Sequence, residues 1–303
     1  MITRDFDAFL LQARATPADV GPACAKAAFI VAPEAFRLAE QSASDNRYMD
    51  LDIEVGADRA LAQHRGLQLA MSQTLPTLCF PGHVDTPDAL FPNNVFATVP
   101  GRLILGHMRH PVRQREVERA DIRGFFTKVL GYEEVDLRTQ SGVCELTGAL
   151  VIDRARGLGF AGLSERCDEA GAAAMHAAFG LRATLMFDLA PGEYHTNVVL
   201  SVLAGRAVVL APSGFADKAA AEAISALYAP HAVVLDAAQK NAFTGNCIAL
   251  AEDQCWLSQV AEASLRSEQR AALREAGFEL VAVELDEIEK AGGSLRCCVA
   301  EIF

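Results

Sequence analysis

Residues 218–257 read KAAAEAISALYAPHAVVLDAAQKNAFTGNCIALAEDQCWL. The stretch opens with Lys218–Ala229, where alanine, leucine and charge are dispersed at helical spacing. A short β-like run, Ala232–Leu235, follows, and then a hairpin-like pair across Cys247–Leu257 with Glu252-Asp253 at its turn. The same order occurs earlier. The helical Ala57–Thr74 leads to Thr77–Phe80 and then to Val95–Leu105, folded around Pro100-Gly101. Further helical stretches are Arg113–Phe125, Asp168–Phe179 and Ser267–Ala276. Further strand-like runs are Ala28–Ala32, Ala149–Ile152, Val198–Leu203, Ala207–Leu210, Glu279–Val283 and Cys297–Ile302. Helix, strand and hairpin recurring every ~50–65 residues predict a radially repeated α/β structure. A doubly wound nucleotide-binding sheet would carry Gly-x-Gly-x-x-Gly or a P-loop, and the chain has neither.

With 303 residues, 51% of them apolar, the chain can bury a large core, which excludes a disordered or fibrous protein. Acidic residues outnumber basic ones, 39 to 27, and the net charge of −12 argues against nucleic acid or an anionic membrane as partner. No window reaches the roughly 18 apolar residues of a spanning helix. The start, Met1-Ile2-Thr3-Arg4-Asp5-Phe6-Asp7, lacks the apolar run of an export signal. The expectation is a soluble, cytoplasmic protein. Its eight cysteines are then reduced thiols, and without Cys-x-x-Cys or a nearby His at ligand spacing no metal site is expected.

Four segments concentrate polar residues where the pattern predicts strand ends. They are Pro87–Asn94; Cys144–Gly148 followed by Gly162–Arg166; Gly192–Asn197; and Gly292–Cys298. Taken singly, each has a plain structural explanation. Asp88 beside Pro87 shapes a turn, Glu145 is a solvated strand-end carboxylate, His195 is architecture, and a cysteine opening a strand is core.

Their order is more telling. Pro-Asp-x-x-Phe-x-x-(Asp/Asn), Glu-x-x-Gly, Gly-x-Ser-x-Arg, His-x-(Asp/Asn) and Gly-Gly-Ser-x-Arg-Cys together resemble the guanidine-group-modifying enzyme superfamily. That superfamily has the pentein fold, an α/β five-bladed ββαβ propeller, and includes deiminases, dimethylarginine dimethylaminohydrolases and amidinotransferases. The Gly-Gly-Ser-Leu-Arg-Cys ending and the Tyr-His-Thr-Asn segment look closest to the citrulline-utilisation hydrolase and arginine dihydrolase branch. The resemblance implies a single catalytic domain over residues 27–303, with 1–26 an N-terminal extension.

It also implies roles. Cys297 matches the nucleophile, suited to splitting attack on a resonance-stabilised carbon into two steps. His195 matches the general acid and base, and Glu145 the carboxylate that orients it. Asp88 matches a second carboxylate gripping the planar head group. Arg166 and Arg113 match residues binding the α-carboxylate, for which a guanidinium fork is suited. Asn46 matches a further substrate contact of the dihydrolases; equally, it reads as a turn asparagine. No cofactor is implied, because the nucleophile is intrinsic. The partner is a small arginine- or citrulline-like molecule, and a homodimer is permitted.

Two departures from the family pattern carry information. Asn94 and Asn197 stand where deiminases place aspartates. An amide both donates and accepts, so a neutral ureido group, with its carbonyl oxygen, is favoured over a cationic guanidinium. The expected activity is therefore conversion of citrulline or arginine to ornithine, ammonia and carbon dioxide through an S-linked intermediate. Alternatives are an arginine deiminase, a dimethylarginine dimethylaminohydrolase-type enzyme, an amidinotransferase, and a degenerate pentein that only binds. A thiol protease with Asn197 or Asn246 as orienting amide is a further reading, without a protease-like local motif. The second departure is the pair Cys297-Cys298. Adjacent strand residues face opposite sides, and the period alone leaves open which one faces the pocket.

Overall fold

The computed structural model of the chain describes residues 1–17, 19–34 and 36–303. A two-residue strand, β1 (Ile2–Thr3), and a helix, Phe6–Ala15, come first. β2 (Ala27–Val31) runs parallel to β3 (Thr77–Phe80), with the helix Ala57–Met71 crossing between them. Next, β4 (Phe96–Val99) is antiparallel to β5 (Arg102–Leu105), which is parallel to β6 (Glu133–Asp136). The same plan joins β7 (Leu150–Asp153), β8 (Leu158–Leu163) and β9 (Ala183–Asp188). It recurs in β10 (Leu200–Leu203), β11 (Ala207–Leu210) and β12 (Ala232–Val234). It recurs again in β13 (Ile248–Ala251), β14 (Gln254–Ser258) and β15 (Glu279–Val283). Finally β16 (Ala300–Ile302) pairs antiparallel with β2, Ala300 opposite Phe29, and supplies the hairpin strand the first sheet lacks.

The mixed α/β fold is thus five sheets of ββαβ order. A parallel pair cannot be closed by a tight turn, so each third strand is reached through a helical crossover. Those helices begin at acidic caps where the sequence has them: Asp168 accepts the Gly171 amide and Asp217 that of Ala219. The first strands of the units pack on one another, β16 on β4 and β10 on both β7 and β13. Their apolar runs are accordingly buried, β4 at all four positions. Residues 1–15 are part of this packing. β1 extends the third sheet alongside β9, and Phe9 meets Phe160 edge-on at 5.6 Å.

Most first strands are entered through one turn of helix: Pro92–Asn94, Leu146–Ala149, Thr196–Val199 and Leu295–Cys298. Two expected strands are therefore shorter than their apolar runs. Val198–Leu203 becomes strand only at Leu200, and Cys297–Ile302 only at Ala300. The period-2 argument about Cys297 and Cys298 does not apply, because both lie in the helical turn. β6, β8, β9 and the helix Phe6–Ala15 are additions to the sequence reading. Glycines at 159 and 162 break the strand pattern of β8, and β6 is a charged edge strand. Among the described residues no helix is long and apolar enough to cross a membrane.

Phe29 is where the sheet built from both ends of the chain meets its neighbour, with rings of Phe80, Phe96 and Phe126 within 6.1 Å. Phe29→Ala is expected to destabilise the fold by ~3–5 kcal/mol, lowering the urea midpoint with an unchanged slope.

Candidate active site

The helical turns deliver their side chains to the N-terminal ends of the first strands. Glu145 and His195 each lie five residues before a strand, and Asn197 and Cys297 each lie three before one. Segments far apart in sequence thereby surround one small cavity. Asn46, Asp88, Asn94, Arg113, Arg166, His195 and Cys297 all line it. Glu145 stands behind His195. Asn197 instead lines a second cavity, bordered by residues of β7, β10, β13 and β16.

His195 Nε2 lies 2.8 Å from Glu145 Oε2, and both side chains are buried. Glu145 also accepts the Arg109 amide at 3.2 Å and Arg166 Nη1 at 3.5 Å. Burial alone would raise its pKa, but Arg166 and His195 outweigh that and hold the carboxyl well below the usual range. Burial lowers the His195 pKa, with Glu145 opposing, so the ring is neutral near pH 7. Pairing with a carboxylate places the proton on Nε2 and leaves Nδ1 as the acceptor. The ring sits directly against Gly148. A Cβ there would lie 2.7 Å from His195 Cε1 and 2.8 Å from Nδ1, so the last residue of Glu-x-x-Gly is a steric requirement.

The segment 42–49 roofs the cavity. Ser42 Oγ donates to Asp88 Oδ2, while the buried Asp88 Oδ1 has no partner among the described residues. Asp45 receives Arg166 Nε at 3.0 Å and His110 Nε2 at 2.9 Å. Asn46 Nδ2 donates to the Gly292 carbonyl at 3.2 Å, and its Oδ1 accepts the Tyr48 amide. Gly292 has φ +72°, and any Cβ on it would collide with Asn46. Tyr48 Oη reaches Glu193 at 2.6 Å, where buried Lys240 supplies the counter-charge.

Both arginines assigned to the substrate carboxylate are engaged within the protein. Arg166 holds Asp45, Glu145 and the Ser42 carbonyl. Arg113 donates through Nη2 to Asn94 Oδ1 at 2.7 Å and to the Phe91 carbonyl at 3.0 Å, with Nε 2.9 Å from Glu116. Arg113 therefore fixes the Asn94 amide, occupying its oxygen and leaving its NH₂ for the cavity.

Cys297 faces this cavity and Cys298 does not. Burial raises the Cys297 thiol pKa, and Ser294, Asn246 and Arg296 moderate the rise. Asn246 Nδ2 lies 3.3 Å from Sγ, and Asn197 Oδ1 lies 3.8 Å away. Sequence reasoning gave no place in this centre to Asp45 or Ser42, and weighed Asn246 only as a protease-like amide. Aligning the repeats would have flagged Asn246, which lies two residues before β13 as Asn94 lies two before β4.

Comparison with known proteins identifies the family of the chain. The family model described as N,N dimethylarginine dimethylhydrolase, eukaryotic, matches residues 32–303. The chain belongs to this family. It is 32% identical over 260 residues to an N(G),N(G)-dimethylarginine dimethylaminohydrolase of Mycobacterium tuberculosis, covering 85% of this chain and 80% of that one. Among solved structures it resembles the substrate-bound N-terminal domain of ArgZ, an arginine dihydrolase from the ornithine–ammonia cycle in cyanobacteria. The TM-score is 0.79 at 19% identity, with 91% and 97% of the chains covered. A dimethylarginine dimethylaminohydrolase adduct with S-methyl-L-thiocitrulline gives a TM-score of 0.68 at 15% identity, with 91% and 99% covered. At these identities the structural likeness bears on the fold, placing it beside the penteins. The family match makes the chain homologous to hydrolases of guanidino C–N bonds.

The closeness of Gly148 to the imidazole is testable. Gly148→Ala should displace the ring and lower kcat about 100-fold, since a misplacement of ~1 Å costs that much. Steady-state kinetics beside a thermal melt separates this from unfolding.

Proposed function

We propose that this protein is a cysteine hydrolase of a free ureido or guanidino amino acid, converting citrulline or arginine to ornithine, ammonia and carbon dioxide. The observation that carries the reading is the Asn94 amide. Its oxygen is held by Arg113, so the cavity meets an N–H donor. A ureido oxygen accepts from such a donor, whereas a guanidinium offers only donors of its own. Across the same cavity, Asp88 Oδ1 is an acceptor without a partner, suited to a substrate N–H.

In this reading the Cys297 thiol yields its proton to His195 Nδ1 as Sγ attacks the ureido carbon. The imidazolium passes that proton to the departing ammonia, and the C–N bond breaks to leave R–NH–C(O)–S–Cys. Water, deprotonated at His195, then attacks that carbon and the C–S bond breaks. The thiolate is released with a carbamate, which loses carbon dioxide to give the amine. Arginine would pass through the same two steps once to citrulline, releasing a first ammonia, and then again. Glu145 stays ionised throughout and stabilises the imidazolium that forms at each transfer. Residues 27–303 act as a single catalytic domain, its five ββαβ units read as blades of a propeller around the inner cavity.

The family match favours a second reading, release of dimethylamine from dimethylarginine. Incubation of pure protein with citrulline, arginine and dimethylarginine, quantifying ornithine, citrulline, ammonia and dimethylamine, decides between them. Ornithine from citrulline is the expected result. Citrulline accumulating from arginine or dimethylarginine without ornithine overturns it. Adding an acceptor amine such as glycine tests for amidino transfer.

Asn94→Asp should lower kcat/KM for citrulline about 100-fold, because a carboxylate then faces the ureido oxygen, while arginine deimination survives. The pH profile has a definite sign. Burial raises the Cys297 thiol pKa, so the thiolate fraction is small at neutral pH and kcat/KM should climb as pH rises past 8. Cys297→Ser should abolish turnover and Cys298→Ser should retain it.

A further inference from the structure

Among the described residues, the Cys297 sulfur has one side-chain donor within hydrogen-bonding distance, Asn246 Nδ2 at 3.3 Å. The Asn197 contact is made through its oxygen, which can accept from a thiol but cannot support a thiolate. Arg296, next in the chain, points away, to the Val299 carbonyl and to Glu301. His195 Nε2 is committed to Glu145.

Asn246 is itself immobilised. It is wholly buried, its backbone N–H donates to the Phe243 carbonyl at 2.8 Å, and its carbonyl accepts the Arg296 amide. Nδ2 also donates to the Asn197 carbonyl at 2.8 Å. Both amide protons are thereby assigned, one to that carbonyl and one to the sulfur. Turning the amide over would set Oδ1 against a carbonyl oxygen, so its orientation is fixed. The internal repeat supports the same conclusion. The other units place Asn94, Glu145, His195 and Cys297 at or beside the entry to their first strands, and Asn246 occupies that place in the unit of β13.

We propose that Asn246 is a catalytic residue, whose side-chain N–H stabilises the Cys297 sulfur as its proton leaves, for attack on an uncharged head group. This rests on Cys297 being the nucleophile. A cationic guanidinium would stabilise the sulfur anion by its own charge. A neutral ureido group cannot, so the protein must supply the donor.

Iodoacetamide reads the thiolate directly: the S–C bond forms, iodide leaves, and the thiol proton goes to solvent. Labelling of Cys297, followed by peptide mass spectrometry across pH, is compared in wild type, Asn246→Ala and the nearly isosteric Asn246→Leu. Both variants are expected to shift the half-point upward by about one unit, so labelling at neutral pH falls about ten-fold. A donor lost only from the architecture would lower the melting temperature and leave this half-point in place. A wild-type half-point in either folded variant overturns the proposal. Should neither variant fold, the side-chain NH₂ resonance of Asn246 in the intact protein must titrate with Cys297; an unmoved resonance overturns it equally. The readout needs no substrate. Absence of turnover on every guanidino and ureido amino acid would sink the functional reading alone.

Discussion

The hydrogen bond between Glu145 and His195 Nε2, 2.8 Å long and closed off from solvent, sets the protonation of the groups around it. A buried carboxylate survives as an anion only if its charge is met, and here Arg166, the Arg109 amide and the imidazole meet it. Because the carboxylate is ionised, the ring keeps its Nε2 proton and offers Nδ1 as a base. Because Arg166 is drawn into this site, Asp45 is drawn after it, and with Asp45 comes the segment that roofs the cavity. One ionisation thus organises the base, the cationic wall and the cover.

Three of the buried polar groups that remain unpaired among the described residues lie close together. Asp88 Oδ1, Asn197 Nδ2 and Asn246 Oδ1 are buried without partners among the described residues, and all belong to residues around Cys297 and its cavities. Native proteins pair nearly all such groups, and those they leave open collect where a ligand completes them. Under the proposed reading, one free carboxylate oxygen and one amide donor would meet the N–H and the carbonyl oxygen of a ureido head group.

Much of the fold was legible because the repeat is written in local patterns. Thr77–Phe80, Ala207–Leu210 and Glu279–Val283 are strands with the limits their apolar runs imply. Where local pattern and tertiary role diverge, reading failed. Leu158–Leu163 is a central strand despite its glycines, because Gly159 and Gly162 admit Thr184, Leu189 and Thr196 against the backbone. The apolar residues at 198–199 and 297–299 suggest strand, yet there the chain turns through a helical step to aim His195 and Cys297. In the centre itself, the motif residues Asp88, Asn94, His195 and Cys297 could be named from their order along the chain, and they line one cavity.

By itself the sequence determined the order of the repeated units, the apolar faces that bury them and the residue types available for chemistry, because these follow from spacing along a single stretch of chain. Position in the Gly-Gly-Ser-x-Arg-Cys motif already favoured Cys297 over Cys298, whereas the tertiary structure alone decided that Arg113 turns the Asn94 amide and that Asn246 touches the sulfur. The contact between Asn246 and Cys297 joins positions 51 residues apart, and that between Glu145 and His195 spans 50. Such pairs are set by how whole sheets pack, and no local pattern carries that information.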